Sequence, residues 1–433
     1  MKAVCLSFTF LFITVVAAAE PAAVVTPTAR ERLKSVIERA LSANPDLQAM
    51  EARIRAARAR VPQAGVLPDP EVEVGIKDVP PSDFSLSRDD FTMEMVTARQ
   101  RFPGWGKRGT RKASAEAAAE NVAALYGRGA VVLAADVADS FFMLAEFDRR
   151  LEILERSRER LKSASASATE RYRVGKGTQS DVLHANLEVT AIEDRLLQVR
   201  SERRSQAARF NALQNLPAGA PVPPVSEIDI PPPSKSPTEI AAEAEEHSPS
   251  VAAAHANVRR AEEELKLAKL ERRPDVMLMA YYGRRERFED LAGASVSVNL
   301  PFAHPRRLDE RRAEMEAELS AAKADLESVR NELRRGIEES AADLGRNIEQ
   351  EKLYRTSILP QAEINFRAAE EAYAVGNVDF ETFVRAALDL DTYESEIATR
   401  VSGIGRGVAA LQKASGLPLI EGTPESGENH VEN

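Results

Sequence analysis

The sequence predicts a mainly α-helical fold with a small β part, built as two tandem copies of one unit. Aromatic residues make up only 5% of the 433 residues, and alanine is plentiful. This composition favours long helices packed through small side chains over a large globular core. Long spans carry apolar residues at three- and four-residue spacing, as helices do, and short segments alternate apolar and polar residues, as strands do.

The first 19 residues predict a secretory signal peptide. Lys2 gives a positive start, an apolar stretch follows, and Ala17 and Ala19 form a small-x-small cleavage site before Glu20. The alternative is a retained membrane anchor. Cys5, the only cysteine, lies within this segment. We therefore expect a mature chain at 20–433 without disulfides or cysteine metal ligands.

A short turn sequence occurs twice, half the chain apart. Three residues of RYRVGKGTQSDVL reappear 201 positions later in AYAVGNVDFETFV: Tyr172, Val174 and Gly175 correspond to Tyr373, Val375 and Gly376. Leu216-Pro217 matches Leu417-Pro418 at the same shift. We predict repeat 1 at 20–216, a proline-rich extended linker at 217–237, repeat 2 at 238–417 and a polar tail at 418–433.

Each repeat has the same predicted order of elements: a helix, a β-hairpin, a very long helix, the turn and a last helix. The first helix is predicted over Leu33–Val61 in repeat 1 and Ile240–Leu270 in repeat 2. The long helix of repeat 1 is predicted over Thr110–Tyr172. In repeat 2 a narrow apolar stripe, typical of a coiled-coil seam, is formed by Leu319, Ala322, Leu326, Val329 and Leu333.

The predicted hairpins have one apolar and one polar face. Val72, Val74 and Ile76 alternate with charged residues, and the segment Ala294–Leu300 alternates in the same way. Their predicted partners are Phe91–Phe102 and Val276–Tyr282. A soluble sheet with one wet face and the wall of a membrane barrel share this pattern. Four strands cannot close a barrel, and lipid does not tolerate open edges, so a membrane barrel would need several chains around one pore.

The junction RFPGWGKR follows the first hairpin. It contains Trp105, the only tryptophan, beside Lys107 and Arg108. A tryptophan next to basic residues after a strand is typical of a membrane interface, and an ordinary packed tryptophan is the alternative.

No motif indicates catalysis, a cofactor or a metal site. There is no nucleophile elbow and no glycine-rich cofactor loop, and the five histidines form no ligand-spaced cluster. The methionine pairs Met93–Met95 and Met277–Met279 each share a strand face, which we interpret as lipid-facing or packed side chains rather than thioether ligands. The net charge of −10 argues against nucleic-acid binding.

The tandem copies, the hairpin positions, RFPGWGKR and the two turns together resemble the outer-membrane efflux protein family, the TolC family. The resemblance covers nearly the whole mature chain. It implies a homotrimer with a shared twelve-strand β-barrel in outer-membrane lipid and a long periplasmic α-barrel. The trimer would be the passive channel of a tripartite efflux system, with a periplasmic adaptor and an inner-membrane pump of the resistance-nodulation-division type.

Two parts of this interpretation remain open from sequence. FPGWGKR is most similar to the heavy-metal branch of CzcC- and CusC-like channels, which would make heavy-metal cations one class of exported solute. A periplasmic coiled-coil adaptor or scaffold with soluble hairpins is the alternative to a channel.

The resemblance also assigns roles to the turns, which would lie at the periplasmic tip and dock the adaptor; the alternative is that they only close a turn. The docking residues would be Val174, Gly175, Lys176, Gly177 and Thr178 in repeat 1, and Val375, Gly376, Asn377, Val378 and Asp379 in repeat 2. Family members narrow the tunnel entrance with acidic residues about one turn further on. In repeat 2 those positions hold Thr382 and Arg385, which departs from this pattern, and in repeat 1 they hold Asp181 and His184. The alternative is an acidic ring formed by Asp181, Asp379 and Glu381.

Overall fold

The computed structural model describes residues 28–81, 85–87, 89–225, 230–301 and 305–424. The helices are α1 (Ala29–Ala43), α2 (Pro45–Gly65), α3 (Lys107–Arg173), α4 (Gln179–Leu213), α5 (Pro237–His247), α6 (Pro249–Leu270), α7 (Pro305–Leu353), α8 (Leu359–Val375) and α9 (Phe380–Ser415), and the strands are β1 (Glu71–Lys77), β2 (Met93–Phe102), β3 (Val276–Arg284) and β4 (Leu291–Val298). The predicted signal peptide, with Cys5, and residues 425–433 of the tail lie outside the described residues.

The first predicted helix of each repeat is wrong as a single helix, because each splits into two. The breaks fall at Asn44 and Ser248, which have extended backbone angles. Each break precedes a proline, and the proline ring disfavours helical angles in the residue before it. Asn44 also caps α2, since its side chain accepts a hydrogen bond from the backbone N–H of Asp46 at 2.9 Å. The break at Asn44 therefore bends the chain and caps the helix that follows, whereas the Ser248 side chain makes no cap hydrogen bond to α6.

The long helices are present in both repeats. Helix α3 has 67 residues, which corresponds to about 100 Å at the helical rise per residue. In repeat 2 the helical run continues from α7 through a π-helical segment, Tyr354–Ile358, into α8. Of the predicted seam, Leu326 and Leu333 are buried, and the other three residues are half-buried against the same apolar cluster. No helix in the described part of the chain has an apolar stretch long enough to cross a membrane.

The four strands form one antiparallel sheet in the order β1-β2-β3-β4. Its register gives the sheet one apolar face and one mixed polar face. The apolar face carries Val72, Val74, Val96, Ala98, Leu278, Ala280, Ala294, Val296 and Val298. Val74 on this face is 75% exposed in the single chain. Strands β1 and β4 are the edge strands of this sheet, and each pairs with a neighbour on one side only.

The helices lie side by side around α3. Towards the sheet α3 packs on α2 and α6, and towards the turns it packs on α4 and α9, while α7 lies beside α6 and α9. The main apolar core sits around the middle of α3, where α1 and α5 join the row. The sheet and the two turns are therefore at opposite ends of a long helical body.

Two buried amides at equivalent positions hold the ends of the repeats, one as a donor and one as an acceptor. Asn211 near the end of α4 donates to the carbonyl oxygen of Ala220 at 2.9 Å. Gln412, 201 positions later in α9, accepts from the backbone N–H groups of Leu419 and Ile420 at 3.0 and 2.9 Å. In both copies the chain that leaves the last helix is held against it.

Candidate functional site

The repeat 1 turn joins α3 to α4 through a left-handed glycine. Gly175 has φ +73°, a conformation that favours glycine. The N–H of Lys176 donates to the carbonyl oxygen of Arg171 at 2.8 Å, which closes the end of α3. Thr178 then begins α4 with a capping box, in which the Asp181 N–H donates to the Thr178 hydroxyl at 3.2 Å and the Asp181 carboxylate accepts from the Thr178 N–H at 3.0 Å.

The repeat 2 turn joins α8 to α9 with the same geometry. Gly376 has φ +85°, and the N–H of Asn377 donates to the carbonyl oxygen of Ala372 at 2.8 Å. Asp379 caps α9 by accepting from the Thr382 N–H at 2.8 Å. Hydrogen bonds from Thr382 hold the pKa of the Asp379 carboxyl below its ordinary value. The Asp379 carboxylate therefore caps the N-terminus of α9.

One side chain brings the two turns together. The guanidinium of Arg171 in α3 lies 4.6 Å from the ring centroid of Tyr373, and its Nη1 donates to the Tyr373 carbonyl oxygen. The contact combines a cation–π interaction with a charge-assisted hydrogen bond. Sequence reasoning did not single out Arg171. The repeat contained a signal for it: the position equivalent to Arg171 in repeat 2 is Ala372, so the two copies differ at this residue.

The tyrosines of the two turns differ in their packing. The ring of Tyr373 stacks on Phe383 with centroids 5.3 Å apart, and Phe380 and Phe366 complete an aromatic group under the repeat 2 turn. Tyr172, the counterpart of Tyr373, is 48% exposed. The repeated sequence therefore produces two turns of equal backbone geometry but unequal side-chain packing.

The predicted entrance residues lie close to the turns, within the first two turns of α4 and α9. Asp181 is half-buried in its capping box, and His184 and Thr382 are exposed. Arg385 is exposed and pairs with Glu381 at 2.6 Å. Glu381 is therefore paired within α9, and Asp379 is the cap of the same helix.

At the opposite end, RFPGWGKR forms a buried lock between the two hairpins. The side chain of Lys107 is 8% exposed, and its Nζ donates to Asp275 Oδ1 at 2.7 Å and to the Arg273 carbonyl oxygen at 2.9 Å. The Gly104 N–H donates to the same Asp275 oxygen at 2.7 Å. Lys107 is thus a structural residue that ties the first hairpin to the entry of the second.

The same lock presents Trp105 to the outside. Arg273 donates to the Trp105 carbonyl oxygen at 2.7 Å, and the indole is 90% exposed. A Cβ on Gly104 would come within 2.8 Å of the Pro274 carbonyl oxygen, so this close approach requires glycine. Trp105 is therefore not packed against other residues of the single chain, as the alternative to a membrane interface would require.

The strand methionines do not lie on the apolar face. The register puts Met93, Met95, Met277 and Met279 on the opposite, mixed polar face. All four methionines therefore lie on the face opposite to Val74 and Val96. Met93 is packed, at 6% exposure. Among the described residues no group of three or more His, Cys, Asp or Glu side chains could hold a metal ion.

The family model for outer membrane efflux proteins matches residues 36–216 and 240–417, most of the chain. The chain belongs to the outer membrane efflux protein family. It is accordingly an outer-membrane protein with a helical periplasmic part, and a channel protein rather than an enzyme.

Solved structures share its fold. VceC from Vibrio cholerae superposes with a TM-score of 0.76 at 18% identity, over 89% of this chain and 96% of that one. The outer-membrane channel OprN gives 0.74 at 19% identity, over 89% and 90%. CusC gives 0.72 at 13% identity, over 92% and 95%. No curated protein sequence is significantly similar to this chain.

Proposed function

We propose that this efflux protein is the passive outer-membrane channel of a tripartite export system and that it works as a homotrimer. The exposed apolar face of the sheet carries this proposal. Val72 and Val74 are 68% and 75% exposed, and β1 and β4 have free edges. Three copies would pair these edges and close a barrel of twelve strands, with the apolar faces in lipid and the polar faces around a pore.

The free end of the helical body is the proposed docking surface for a periplasmic adaptor, which would connect the channel to an inner-membrane pump of the resistance-nodulation-division type. Each turn presents an exposed valine, Val174 at 65% and Val375 at 71%. Exposed apolar side chains at a defined turn support recognition by a partner rather than turn closure alone. The docking residues would be those of the two turns, 174–178 and 375–379.

The alternative, a periplasmic adaptor or scaffold, fits the sheet less well. A soluble sheet buries its apolar face against another layer. Here Val296, in the middle of β4, is 66% exposed. Trp105, at the end where the sheet meets the helices, is also exposed, which suits a lipid interface.

The proposed cargo is small toxic solutes, with heavy-metal cations as one class. FPGWGKR supports the metal branch by resemblance. The described residues contain no metal cluster, so cargo selection is assigned to the pump rather than to the channel. Growth of a deletion strain on zinc, cobalt, cadmium, copper, dyes and detergents, with and without the restored gene, would identify the class.

The docking proposal is tested by bulky substitutions at the two turns. Gly175→Trp and Gly376→Trp, alone and together, place an indole on the proposed surface, and Lys176→Glu changes its charge. A side chain at a left-handed position costs about 1–3 kcal/mol, which is small for a trimer of this size. Gly219→Trp is the matched control, because Gly219 lies in the linker with open space around its Cα and no positive φ.

We expect the double variant to reach the outer membrane as a trimer in normal amount, to lose crosslinking to the adaptor and to behave as the deletion strain in export. The Gly219→Trp control should export normally. Full export by the double variant, with the trimer present, would show that the turns are structural and that docking occurs elsewhere.

A further inference from the structure

The row of helices ends in two edges. One edge consists of α4 and α2, which meet end to end: the side chain of Asn44, before α2, donates to the carbonyl oxygen of Leu213, at the end of α4, at 3.2 Å. Both helices pack mainly on α3. The other edge consists of α7 and α8, which pack on α6 and α9. The chain therefore has two long helical edges whose outer sides face away from α3.

Each edge carries two charges without partners in the half of the helical body nearer the sheet. Arg53 and Arg60 lie on α2, and Glu318 and Asp325 lie on α7. The members of each pair are seven residues apart, so they share one side of their helix. All four side chains are exposed, and none forms an ion pair with another described residue. The two edges therefore carry opposite charges that the single chain leaves unpaired.

The two pairs of charges lie on the same side of the row. A groove on this side, between α3 and α7, is lined by Arg128 and Asp325. Tyr126, two residues from Arg128 and so on the opposite side of α3, donates to the Glu51 carboxylate of α2 at 3.2 Å. Arg53 is two residues beyond Glu51 and therefore lies on the side of the groove. The other member of each pair shares the side of its partner.

The two pairs also lie at the same height. Contacts that link neighbouring helices across the row are Gly65 with Lys112, Glu120 with Arg259, and Leu265 with Met315. Counting residues along the helices from these contacts puts the midpoints of the two pairs level to within about one helical turn. Because α2 runs towards the sheet and α7 runs away from it, Arg60 is level with Glu318, and Arg53 is level with Asp325.

Towards the turns, both edges expose large apolar side chains. Leu183, Leu187 and Leu197 of α4 are 61%, 62% and 65% exposed, on the side of the helix that faces away from α3. On the other edge Leu353, at the end of α7, is 52% exposed, and Ile364 of α8 is 69% exposed. Large exposed aliphatic side chains that follow one helix edge mark a contact with another protein surface.

Pairing of sheet edges in the trimer of the proposed function, on which this inference rests, would bring the two helical edges together. Helix α2 leads into β1 and α7 follows β4, so β4 paired with β1 of the next copy places α7 beside α2 of that copy. Rotation about one axis keeps the heights equal.

We propose that the two edges recognise each other between copies, with Glu318 and Asp325 of one copy paired to Arg60 and Arg53 of the next. The exposed leucines continue the same seam towards the turns. The charges make the contact selective, because a neighbour is accepted only if its edge carries the complementary charges at the same heights. The chain thereby selects a second copy of itself rather than a different channel protein.

The first test asks whether two chains with different tags enter the same trimer. One chain is unmodified, and the other carries Arg53→Glu, Arg60→Glu, Glu318→Arg and Asp325→Arg. This fourfold variant is complementary to itself but presents like charges to the unmodified chain. We expect each chain to form trimers of its own, and purification through one tag to recover about tenfold less of the other than with two unmodified chains.

The control exchanges the charges of an exposed ion pair away from the edges. Arg149→Glu with Glu152→Arg, on α3, should mix freely with the unmodified chain. Free mixing of the fourfold variant, with its trimers present, would overturn the proposed recognition. An unmodified chain that forms no trimer in native mass spectrometry would instead contradict the proposed function itself.

The second test keeps the charges of the unmodified chain at the other positions and does not depend on folding of the fourfold variant. In a Cys5→Ser background, Arg53→Cys with Asp325→Cys should be joined between copies by a short bis-maleimide, giving linked dimers and trimers on a denaturing gel. Arg55→Cys with Asp325→Cys is the matched control, because Arg55 is exposed at nearly the same height but on the opposite side of α2, and it should remain unlinked. Equal linking of the two variants, or none in an intact trimer, would overturn the pairing.

Discussion

The guanidinium of Arg171 covers the ring of Tyr373 at 4.6 Å and donates to the carbonyl oxygen of the same residue. This contact joins the ends of α3 and α8, one from each repeat. Its repeat-related equivalent is absent, because position 372 is alanine and Tyr172 is half exposed. The tyrosine of the repeat 2 turn, Tyr373, is therefore held by a contact between the repeats. The tyrosine of the repeat 1 turn, Tyr172, is half exposed.

Replacing Arg171 should loosen the repeat 2 turn without unfolding the protein. Arg171→Ala removes a cation–π contact and a charge-assisted hydrogen bond, together worth about 1–2 kcal/mol. Hydrogen exchange of the amides in 373–377 should then be faster by about tenfold. Arg173→Ala is the control, since Arg173 pairs only with its helix neighbour Glu170 on the surface. Unchanged exchange in Arg171→Ala would show that the aromatic group alone holds the turn.

Lysine on the two faces of β4 should have unequal effects. Val296 faces the apolar side opposite Leu278, and Ser295 faces the polar side opposite Met279. A lysine in the lipid-facing wall costs about 2–4 kcal/mol near the bilayer centre. Val296→Lys should therefore lower the amount of assembled protein in the outer membrane, and Ser295→Lys should leave it nearly unchanged. The reverse order would mean that the sheet faces are assigned the wrong way round.

Breaking the lock at the strand–helix junction should destabilise assembly. Lys107→Met removes the ammonium partner of the Asp275 carboxylate and keeps the Gly104 N–H, and loss of one member of a part-buried hydrogen-bonded pair costs about 1–3 kcal/mol. The temperature at which the purified oligomer dissociates should fall. Arg306→Met is the control, because Arg306 is 93% exposed and lies 4.0 Å from Glu310. Equal dissociation temperatures for the two variants would show that the contact between Lys107 and Asp275 does not stabilise the oligomer.

The buried carboxyl of Asp391 in α9, which accepts a hydrogen bond from the Ser157 hydroxyl of α3 and pairs with Arg160 at 3.2 Å, should make stability depend on pH. Its folded-state pKa is raised, chiefly by burial, so its contribution to stability is complete below the unfolded pKa of about 4 and is lost as pH rises through the folded value. Asparagine does not titrate. The melting temperature of the native protein relative to Asp391→Asn should therefore be highest at acidic pH and fall towards neutrality. A difference that rises towards neutrality would contradict the burial effect.

Periodicity in the sequence predicted which elements form and which face of each strand is apolar. The predictions of a long helix over Thr110–Tyr172 and of a strand around Val72–Ile76 are confirmed. Both could be made from sequence because a pattern repeated over many residues depends only on local geometry. The breaks at Asn44 and Ser248 were not predicted, although Pro45 and Pro249 follow them directly and the residue before a proline disfavours helical angles.

Contacts between distant residues could not be predicted in this way. Lys107 was interpreted as an interfacial charge, but Asp275, 168 positions later, makes it a buried partner. Arg171 and Tyr373 are 202 positions apart, and nothing local to either residue indicates the other. The methionines were assigned to a shared face correctly, but the side of the sheet on which that face lies depends on how all four strands pair.

The most direct test of the account is the mass of the purified protein in mild detergent. One chain leaves two open sheet edges and a continuous exposed apolar face, and three chains would close both. Native mass spectrometry should give a particle of three chains that survives the removal of detergent. A particle of one or two chains, from protein that is folded and fractionates with the outer membrane, would contradict the shared barrel on which the proposed channel depends.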